Sequence, residues 1–347
     1  MIYKTLISIH LEELYHQIEI KNGVDMNFAI IGCGLIGQKR AKSLSKNSLL
    51  YTCDVDFNRA ESLSNQYNGC IATNDVNVIC NDIRVNAAVV SVINNQLYPI
   101  ALQLIKHGKH VLIEKPGSIN VNELNQLKQA AKESGSIIRI GYNHRYHPAC
   151  IKMNELITDG QLGDFMFLRA RYGHGGRIGY ESEWRSDKTI SGGGELIDQG
   201  VHLIDLASIF MGEYTQIDGH INTYYWKMDV EDNAFLSLKN NKNNTAWLHV
   251  SCTEWKNTFS LEVYFKYAKF HWEGLGGSYG TERLYFYKMT DEMGPPDTTI
   301  YEFPKQDNSW KIEMNEFIND IVLNRTSVPG IQEAINVLTV VETIYNK

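Results

Sequence analysis

Two stretches carry residue types spaced for chemistry. In His110-Val-Leu-Ile-Glu-Lys-Pro116 an apolar strand runs into Glu114, Lys115 and Pro116. An ammonium is thereby delivered to the carboxyl end of a strand, where open α/β sheets bind their ligands. A partly desolvated lysine can hydrogen-bond a hydroxyl and help move its proton, and the proline stops the strand and stiffens the corner. In Ser191-Gly-Gly-Gly-Glu-Leu-Ile-Asp198-Gln-Gly-Val-His202-Leu-Ile-Asp205 three glycines, which would let the chain approach a ligand closely, lead into a helix. Asp198 and His202 are four apart and share a face, with Asp205 on that face too. A carboxylate beside an imidazole orients the ring and raises its pKa, as a general acid/base requires. Each pattern has a plainer reading: a charged strand exit for Glu-Lys-Pro, surface electrostatics or a satisfied core histidine for Asp–His. A metal pair ranks below both, because no third ligand with zinc-like spacing stands near; His144 and His147 flank Arg145 without cysteines.

A third stretch is organised to hold a cofactor. Phe28-Ala-Ile-Ile31 reads as a buried strand, followed by Gly32-Cys-Gly34-Leu35-Ile36-Gly37 and a helix to about Lys46. The next strand, Leu49–Cys53, ends at Asp54. That is the context in which a Gly-x-Gly-x-x-Gly run binds a dinucleotide. Gly32 permits the tight turn, Gly34 lets the backbone approach a pyrophosphate, and Gly37 allows close helix–strand packing, with the phosphates on the helix N-terminus. Asp54 can accept both ribose hydroxyls and repels a 2′-phosphate, which favours NAD over NADP; Lys39 and Arg40 keep NADP open. Asp56, rather than Asp54, is placed to cap the following helix.

The elements that must position these residues fall into two halves. After the second strand, helix and strand alternate over 58–67, 87–92, 96–107, 110–113, 121–134 and 136–141. This is a run of βα units and hence a doubly wound parallel sheet. Beyond Pro148 a helix (149–158) leads into strands at 165–172, 217–226, 233–238, 245–251, 260–267, 270–273 and 283–287. One helix interrupts them (195–210) and two close the chain (310–323 and 332–345). The expected class is therefore α/β, an N-terminal Rossmann sheet followed by an α+β domain on an open, largely antiparallel sheet. Its divisions are an extension at 1–25, a dinucleotide-binding domain at 26–146 and a substrate and oligomerisation domain at 147–347. Ile2, Leu6, Ile9 and Leu14 make the extension either an amphipathic helix or a loosely attached leader.

Length and composition agree. The 347 residues exceed one ordinary core. A net charge of −7 without a basic block argues against a nucleic-acid groove, and no apolar run reaches membrane-spanning length. The six cysteines form no Cys-x-x-Cys pair and read as small buried hydrophobes in a reducing compartment. Glu12, Glu13 and Glu19 interrupt any signal-peptide core. The cytoplasm is the expected location.

The ordered set Gly-x-Gly-x-x-Gly, Glu-Lys-Pro, Gly141-Tyr-Asn-His-Arg-Tyr-His-Pro148 and Gly-Gly-Gly-x-Leu-x-Asp-x-Gly-x-His resembles the glucose–fructose oxidoreductase/inositol dehydrogenase family over about residues 27–347. The resemblance implies NAD-dependent hydride transfer at a sugar-like secondary alcohol, and a homodimer or homotetramer formed through the C-terminal sheet. Lys115 resembles the family lysine that contacts substrate and cofactor, Asp198 and His202 its substrate-side acid/base pair, and Trp184-Arg185 a pair reaching the nicotinamide end in some members. Where the family often carries Thr-Pro-Asn-x-x-His, this chain has Val92-Ile-Asn94-Asn-Gln-Leu97, so only Asn94 matches. The expected catalytic residues are Lys115, Asp198 and His202. Expected cofactor contacts are Gly32, Gly34, Leu35, Ile36, Gly37, Asp54, Arg59, Asn94, Glu114, Lys115, Trp184 and Arg185. Substrate contacts are Lys115, Asn143, Arg145, Tyr172, Arg177, Asp198 and His202, with no metal.

The loop Tyr172-Gly-His-Gly-Gly-Arg177-Ile-Gly-Tyr-Glu-Ser-Glu-Trp184-Arg185 combines flexibility, aromatic faces and guanidinium forks. It suits a sugar or base ring together with a phosphate or carboxylate. Similar loops occur in family members acting on nucleotide-linked sugars, which gives the narrower substrate expectation. Two rivals use the same fold: a catalytically silent NAD-binding sensor, which needs none of Lys115, Asp198 and His202, and an NAD-recycling hydrolase or lyase.

Overall fold

The computed structural model describes residues 26–44, 48–290, 292, 294–304 and 307–347; the extension at 1–25 lies outside them. The first half alternates β1 (Phe28–Ile31), α1 (Leu35–Ser43), β2 (Leu49–Cys53), α2 (Phe57–Ser64), β3 (Ile71–Thr73), α3 (Val76–Asn81), β4 (Ala87–Val90), α4 (Asn94–Lys106), β5 (His110–Glu114), α5 (Val121–Ser134) and β6 (Ile138–Gly141). The six strands lie in the order β3-β2-β1-β4-β5-β6, every pairing parallel. β1 and β4 are buried throughout, which is why each is an unbroken apolar run rather than an alternating one. Asp56 accepts the Asn58 N–H at the start of α2, as expected of a cap. The unit β3–α3 goes beyond the sequence reading, because Ile71-Ala-Thr73 is a short, partly exposed edge with little apolar signal. The strand order reverses between β1 and β4, and that switch point opens a crevice at the strands' carboxyl ends.

After β6 come α6 (Pro148–Asp159), β7 (Phe165–Gly173), a single turn α7 (Lys188–Ser191), and a π-helical turn at Leu196–Gly200 that continues into α8 (Val201–Met211). The strands β8 (Gln216–Asn222), β9 (Asn233–Lys239), β10 (Thr245–Ser251), β11 (Thr258–Phe265), β12 (Ala268–Glu273), β13 (Glu282–Lys288) and β14 (Asp297–Phe303) follow. With β7 they form one open sheet ordered β14-β13-β12-β11-β7-β10-β9-β8, antiparallel except for β7 beside β10. Period-two patterning sets the faces: Phe259, Leu261, Val263 and Phe265 point inward, while Ser260, Glu262 and Tyr264 point outward. β14 was not expected, since Asp297-Thr-Thr-Ile-Tyr-Glu-Phe303 is a mostly exposed edge with no apolar alternation.

The last helices are α9 (Ser309–Val322) and α10 (Ile331–Tyr345). α9 returns to the Rossmann sheet, where Met314 and Phe317 join the core of Phe28, Ile30, Ala41 and Leu112. The Phe28 and Phe317 rings meet edge to face at 6.4 Å. Arg139 of β6 pairs with Asp320 of α9 at 2.6 Å with both side chains buried. The chain's end is thus stitched into its beginning. Removing one partner of a buried pair strands the other charge, at a cost of about 3–5 kcal/mol. Asp320→Ala should therefore lower the unfolding free energy read from a urea titration by that much, with a matching fall in the midpoint, and an unchanged midpoint would show that α9 does not brace the Rossmann half.

Candidate active site

The crevice at the β1–β4 switch point faces the second domain and encloses about 1050 Å³. Its floor is the glycine turn. A Cβ on Gly32 (φ +88°) would lie 2.4 Å from the Ser91 carbonyl oxygen, and one on Gly37 would lie 1.9 Å from that of Gly32. Gly34 is different: a Cβ there would have nothing within 4 Å, because the turn opens onto the crevice. Gly32 and Gly37 are thus packed against backbone, and the open position at Gly34 leaves room for a pyrophosphate on the N-terminus of α1. Asp54 stands at the end of β2, its Oδ2 accepting the Cys33 N–H at 2.7 Å and its Oδ1 the Asp56 N–H at 3.0 Å. Each oxygen keeps a lone pair for a ribose hydroxyl. The residues present fit a dinucleotide.

Of the expected residues, Gly32, Gly34, Leu35, Ile36, Asp54, Arg59, Asn94, Glu114, Lys115, Asn143, Tyr172, Arg177, Trp184, Arg185, Asp198 and His202 line this one crevice. Gly37 packs beneath it. Arg145 does not reach it: its guanidinium forks onto Asp205 at 2.8 and 2.7 Å, which also removes Asp205 from the expected acid/base face. Glu114 lines the wall, but its carboxylate is committed to Arg40 at 2.6 Å. Asn94 donates to the Ser191 carbonyl at 2.8 Å and so ties α4 to the second domain. Arg40 is wholly buried between Glu114 and Glu313, and Lys39 lies over the Trp310 ring at 5.1 Å. Arg40 is therefore neutralised inside the protein, whereas Lys39 is exposed at the crevice and keeps its charge.

The catalytic candidates meet in an arrangement different from the expected one. Lys115, whose bond to Pro116 is cis, donates to Asp198 Oδ1 and to the Asp198 carbonyl, both at 2.6 Å. Arg185 Nε donates to Asp198 Oδ2 at 3.2 Å. Burial works to raise the Asp198 carboxyl, but Lys115 and Arg185 outweigh it and hold it below the usual range. Asp198 is thus the counterion of Lys115 and Arg185, not the partner of His202. The π-helical turn at Leu196–Gly200 breaks the regular four-residue spacing on which the expected Asp–His pairing depended. His202 instead shares a hydrogen bond with His144, Nδ1 to Nδ1 at 2.6 Å. Burial, with Lys115 and His147 adding to it, holds the His202 ring well below its ordinary pKa rather than above it. His144 is pushed down likewise, by burial first and then by His202. Both rings are neutral near pH 7, so one Nδ1 donates and the other accepts.

The three glycines before this helix also serve another purpose than close approach to a ligand. A Cβ on Gly193 would lie 2.0 Å from the Tyr345 hydroxyl, and one on Gly194 would lie 2.0 Å from the Glu231 carbonyl oxygen. Glu231 accepts the Gly194 and Leu196 N–H groups at 3.1 and 3.0 Å and the Tyr345 hydroxyl at 2.7 Å. The turn is packed against the protein's own interior.

Several crevice residues escaped the site prediction. His144 follows the carboxyl end of β6, a position that could have marked it, as it marks Asn143. His174 sits 3.5 Å from Glu195, which outweighs the opposing effect of burial and leaves its pKa raised. Tyr180 donates to the same carboxylate at 2.8 Å. Tyr279 and Trp310 arrive from distant elements and carry no local signal.

A switch-point crevice with a glycine turn, a lysine at the end of β5 and a neutral histidine from the companion domain defines a two-domain dinucleotide-dependent oxidoreductase. The chain belongs to the GFO/IDH/MocA family: residues 26–142 match its oxidoreductase model, an NAD-binding Rossmann fold, and residues 150–271 match its C-terminal domain. It is 24% identical over 318 residues to D-glucoside 3-dehydrogenase of Escherichia coli (strain K12), covering 85% of this chain and 88% of that protein. It is 22% identical over 332 residues to scyllo-inositol 2-dehydrogenase (NADP(+)) of Bacillus subtilis (strain 168), covering 90% and 92%. The fold superposes on levoglucosan dehydrogenase in complex with NADH with a TM-score of 0.82 at 17% identity, covering 92% of this chain and 96% of that one. Among the described residues no helix is long and apolar enough to cross a membrane.

This is an NAD-binding oxidoreductase, and the position of Asp54 at the end of β2 gives a test of which residue sets the cofactor preference. A 2′-phosphate beside that carboxylate costs about 1–4 kcal/mol in partly screened surroundings. NADH should bind more tightly than NADPH by that margin, and Asp54→Ser should narrow the gap, as read by fluorescence titration of both cofactors. Tighter NADPH binding by the unaltered chain would refute the assignment.

Proposed function

We propose that the enzyme moves a hydride between NAD and a secondary alcohol of a sugar-like substrate, with His202 as general base and Lys115 as the group that stabilises charge on oxygen. The observation that carries this reading is that a neutral imidazole and an ammonium line the same crevice as the glycine turn. NAD, when bound, supplies a nicotinamide ring that accepts the hydride from the substrate carbon. Lys115 has three N–H donors, two of them used on Asp198, which leaves one for the substrate hydroxyl. His202 has Nδ1 engaged with His144. If that nitrogen carries the proton, Nε2 presents a lone pair and takes the hydroxyl proton as the carbon is oxidised. His144 then keeps the ring oriented, the role sequence spacing gave to Asp198. Asp198 and Arg185 in turn hold the ammonium in place. In the reverse direction His202 returns the proton and Lys115 polarises the carbonyl.

His202→Ala should lower kcat about 10²–10⁴-fold, the usual worth of general acid/base help. Lys115→Ala should cost at least as much, because it removes the charge at the reacting oxygen. The NADH dissociation constant should stay close to that of the unaltered chain in both, since phosphate and ribose contacts lie elsewhere. Near-normal turnover by both variants would place the chemistry at other residues.

We also propose that the outward face of the second sheet pairs with another copy of the chain. No helix among the described residues covers it. It carries exposed Trp247 and Phe167, Phe167 stacked on Tyr264 at 4.2 Å, and a charged set of Arg169, Glu262 and Lys269. An apolar patch rimmed by charge is the usual form of an association surface. Light scattering should return a dimer or tetramer, and Trp247→Glu should shift it toward monomer; a monodisperse monomer at micromolar concentration would contradict the proposal.

A further inference from the structure

Four buried side chains stand in file at the crevice, and a general base at His202 accounts for only the first of them. His202 of α8 and His144 of the turn after β6 face each other Nδ1 to Nδ1 at 2.6 Å, with ring centroids 3.9 Å apart. His147 comes next, its ring stacked on that of His144 at 5.5 Å and 20°. Its Nδ1 donates to Glu282 Oε2 at 3.0 Å, and Glu282 Oε1 accepts the Ala149 N–H at 2.7 Å. Each of the four is 5% exposed or less, and all three imidazoles line the crevice.

Two neutral imidazoles joined Nδ1 to Nδ1 hold one proton in the bond and the other on the Nε2 of the accepting ring. When His202 is the donor, its Nε2 is bare and the second proton is on His144. A proton arriving at His202 Nε2 lets the shared proton pass to His144 Nδ1. His144 then carries both, and loss of its Nε2 proton leaves the pair neutral with the tautomers exchanged. Alcohol oxidation needs such a path, because a proton is released beside the hydride and the newly formed carbonyl still blocks His202 Nε2. The surroundings favour the passing charge on His144. Lys115 is the first charge opposing a positive His202, whereas at His144 it comes after His202 and His147. The Phe259 ring lies 6.0 Å from that of His144 and within 10° of parallel, at the edge of the range over which an aromatic face attracts a cation. Tyr172 and Tyr142 complete the surroundings, and burial keeps both phenols protonated. The carboxylate of the file, Glu282, acts through the stacked His147.

We propose that His144 is a positioning residue that also relays the reaction's proton. As the hydride leaves the substrate carbon for NAD, the hydroxyl proton goes to His202 Nε2, the Nδ1 proton of His202 goes to His144 Nδ1, and His144 gives its Nε2 proton to water in the crevice. One proton enters the pair and one leaves it, so the rings end neutral while the alcohol becomes a carbonyl. Reduction runs the same path backwards. The proposal rests on the oxidoreductase reading and assigns the route of the proton within that site.

His144→Gln separates relay from orientation, because an amide oxygen can still accept the His202 Nδ1–H but cannot pass a proton on. NAD reduction is followed with levoglucosan, scyllo-inositol and methyl β-D-glucoside in mixtures of light and heavy water. In the unaltered chain kcat should fall along a curve as the deuterium fraction rises, as two protons in flight require. His144→Gln should lower kcat about tenfold or more and straighten that curve, with the NADH dissociation constant unchanged. A straight line in the unaltered chain, or near-normal kcat in His144→Gln, overturns the relay and leaves His144 as an orienting partner alone. A second measurement needs no substrate: NMR of labelled histidine nitrogens in the NADH complex at neutral pH, assigned with His144→Gln and His202→Gln. It should show one slowly exchanging proton coupled to Nδ1 of both rings, and Nε2 signals of both rings between the protonated and bare positions, because the tautomers interchange. A single fixed tautomer, or no shared proton, overturns the relay. Absence of NAD reduction with all three alcohols would sink the substrate reading, and the nitrogen spectra would then decide the relay by themselves.

Discussion

A guanidinium with no access to water cannot shed its proton and must be neutralised where it stands, and Arg40 imposes that constraint on the whole molecule. Its partners are Glu114 at the end of β5 and Glu313 in α9, while the Trp310 ring lies 4.5 Å from it. Three segments distant in sequence are thereby locked together: the helix that follows the glycine turn, the strand that delivers Lys115, and the helix that returns from the second domain. Gly141 at the end of β6 makes room for the cluster, since a Cβ there would lie 2.7 Å from Arg40 Nη2 and 2.9 Å from Glu114 Oε2. Two carboxylates share one guanidinium, and burial pushes Glu313 up to about 7 against the pull of Arg40. Lys115 is the next residue after Glu114, so the position of its ammonium is inherited from this cluster.

The same rule operates a few ångströms away with a different outcome. Asp198 is nearly buried and lies between two cations, so its carboxylate stays ionised and serves to hold Lys115 and Arg185. Charge is thereby kept on the lysine side of the crevice. The histidine side holds the opposite condition: His144 and His202 are buried, near a lysine and near each other, and all of these disfavour a positive ring. The separation gives one group suited to stabilising an oxyanion and another suited to accepting a proton. It arises from burial and neighbouring charge, and requires no carboxylate on the imidazole.

Two glycine-rich turns that look alike in sequence have different physical reasons. Around Gly34 the absent side chain leaves open space facing the crevice, which a ligand can occupy. Around Gly193 and Gly194 the absent side chains admit Tyr345 and the Glu231 backbone, so the space is already filled by the protein. Glycine count and proximity to a helix start cannot separate these cases; what faces the missing Cβ does.

The sequence by itself determined the elements whose patterns are local. Unbroken apolar runs ending at glycine or at Glu-Lys-Pro gave the parallel sheet, its crevice, and the residues that reach it, because strand ends and turn chemistry are set by neighbours in the chain. Alternation gave the open sheet and its inward face for the same reason. Tertiary structure decided what long-range contact controls. It sent α9 back to the Rossmann core, turned Arg145 to Asp205, and drew Glu114 to Arg40. Above all, it reassigned Asp198 from His202 to Lys115, and gave His202 a histidine partner fifty-eight positions away. An ion pair forms wherever folding brings opposite charges into low dielectric, so the partner of a buried side chain is a property of the packed molecule and not of helical spacing.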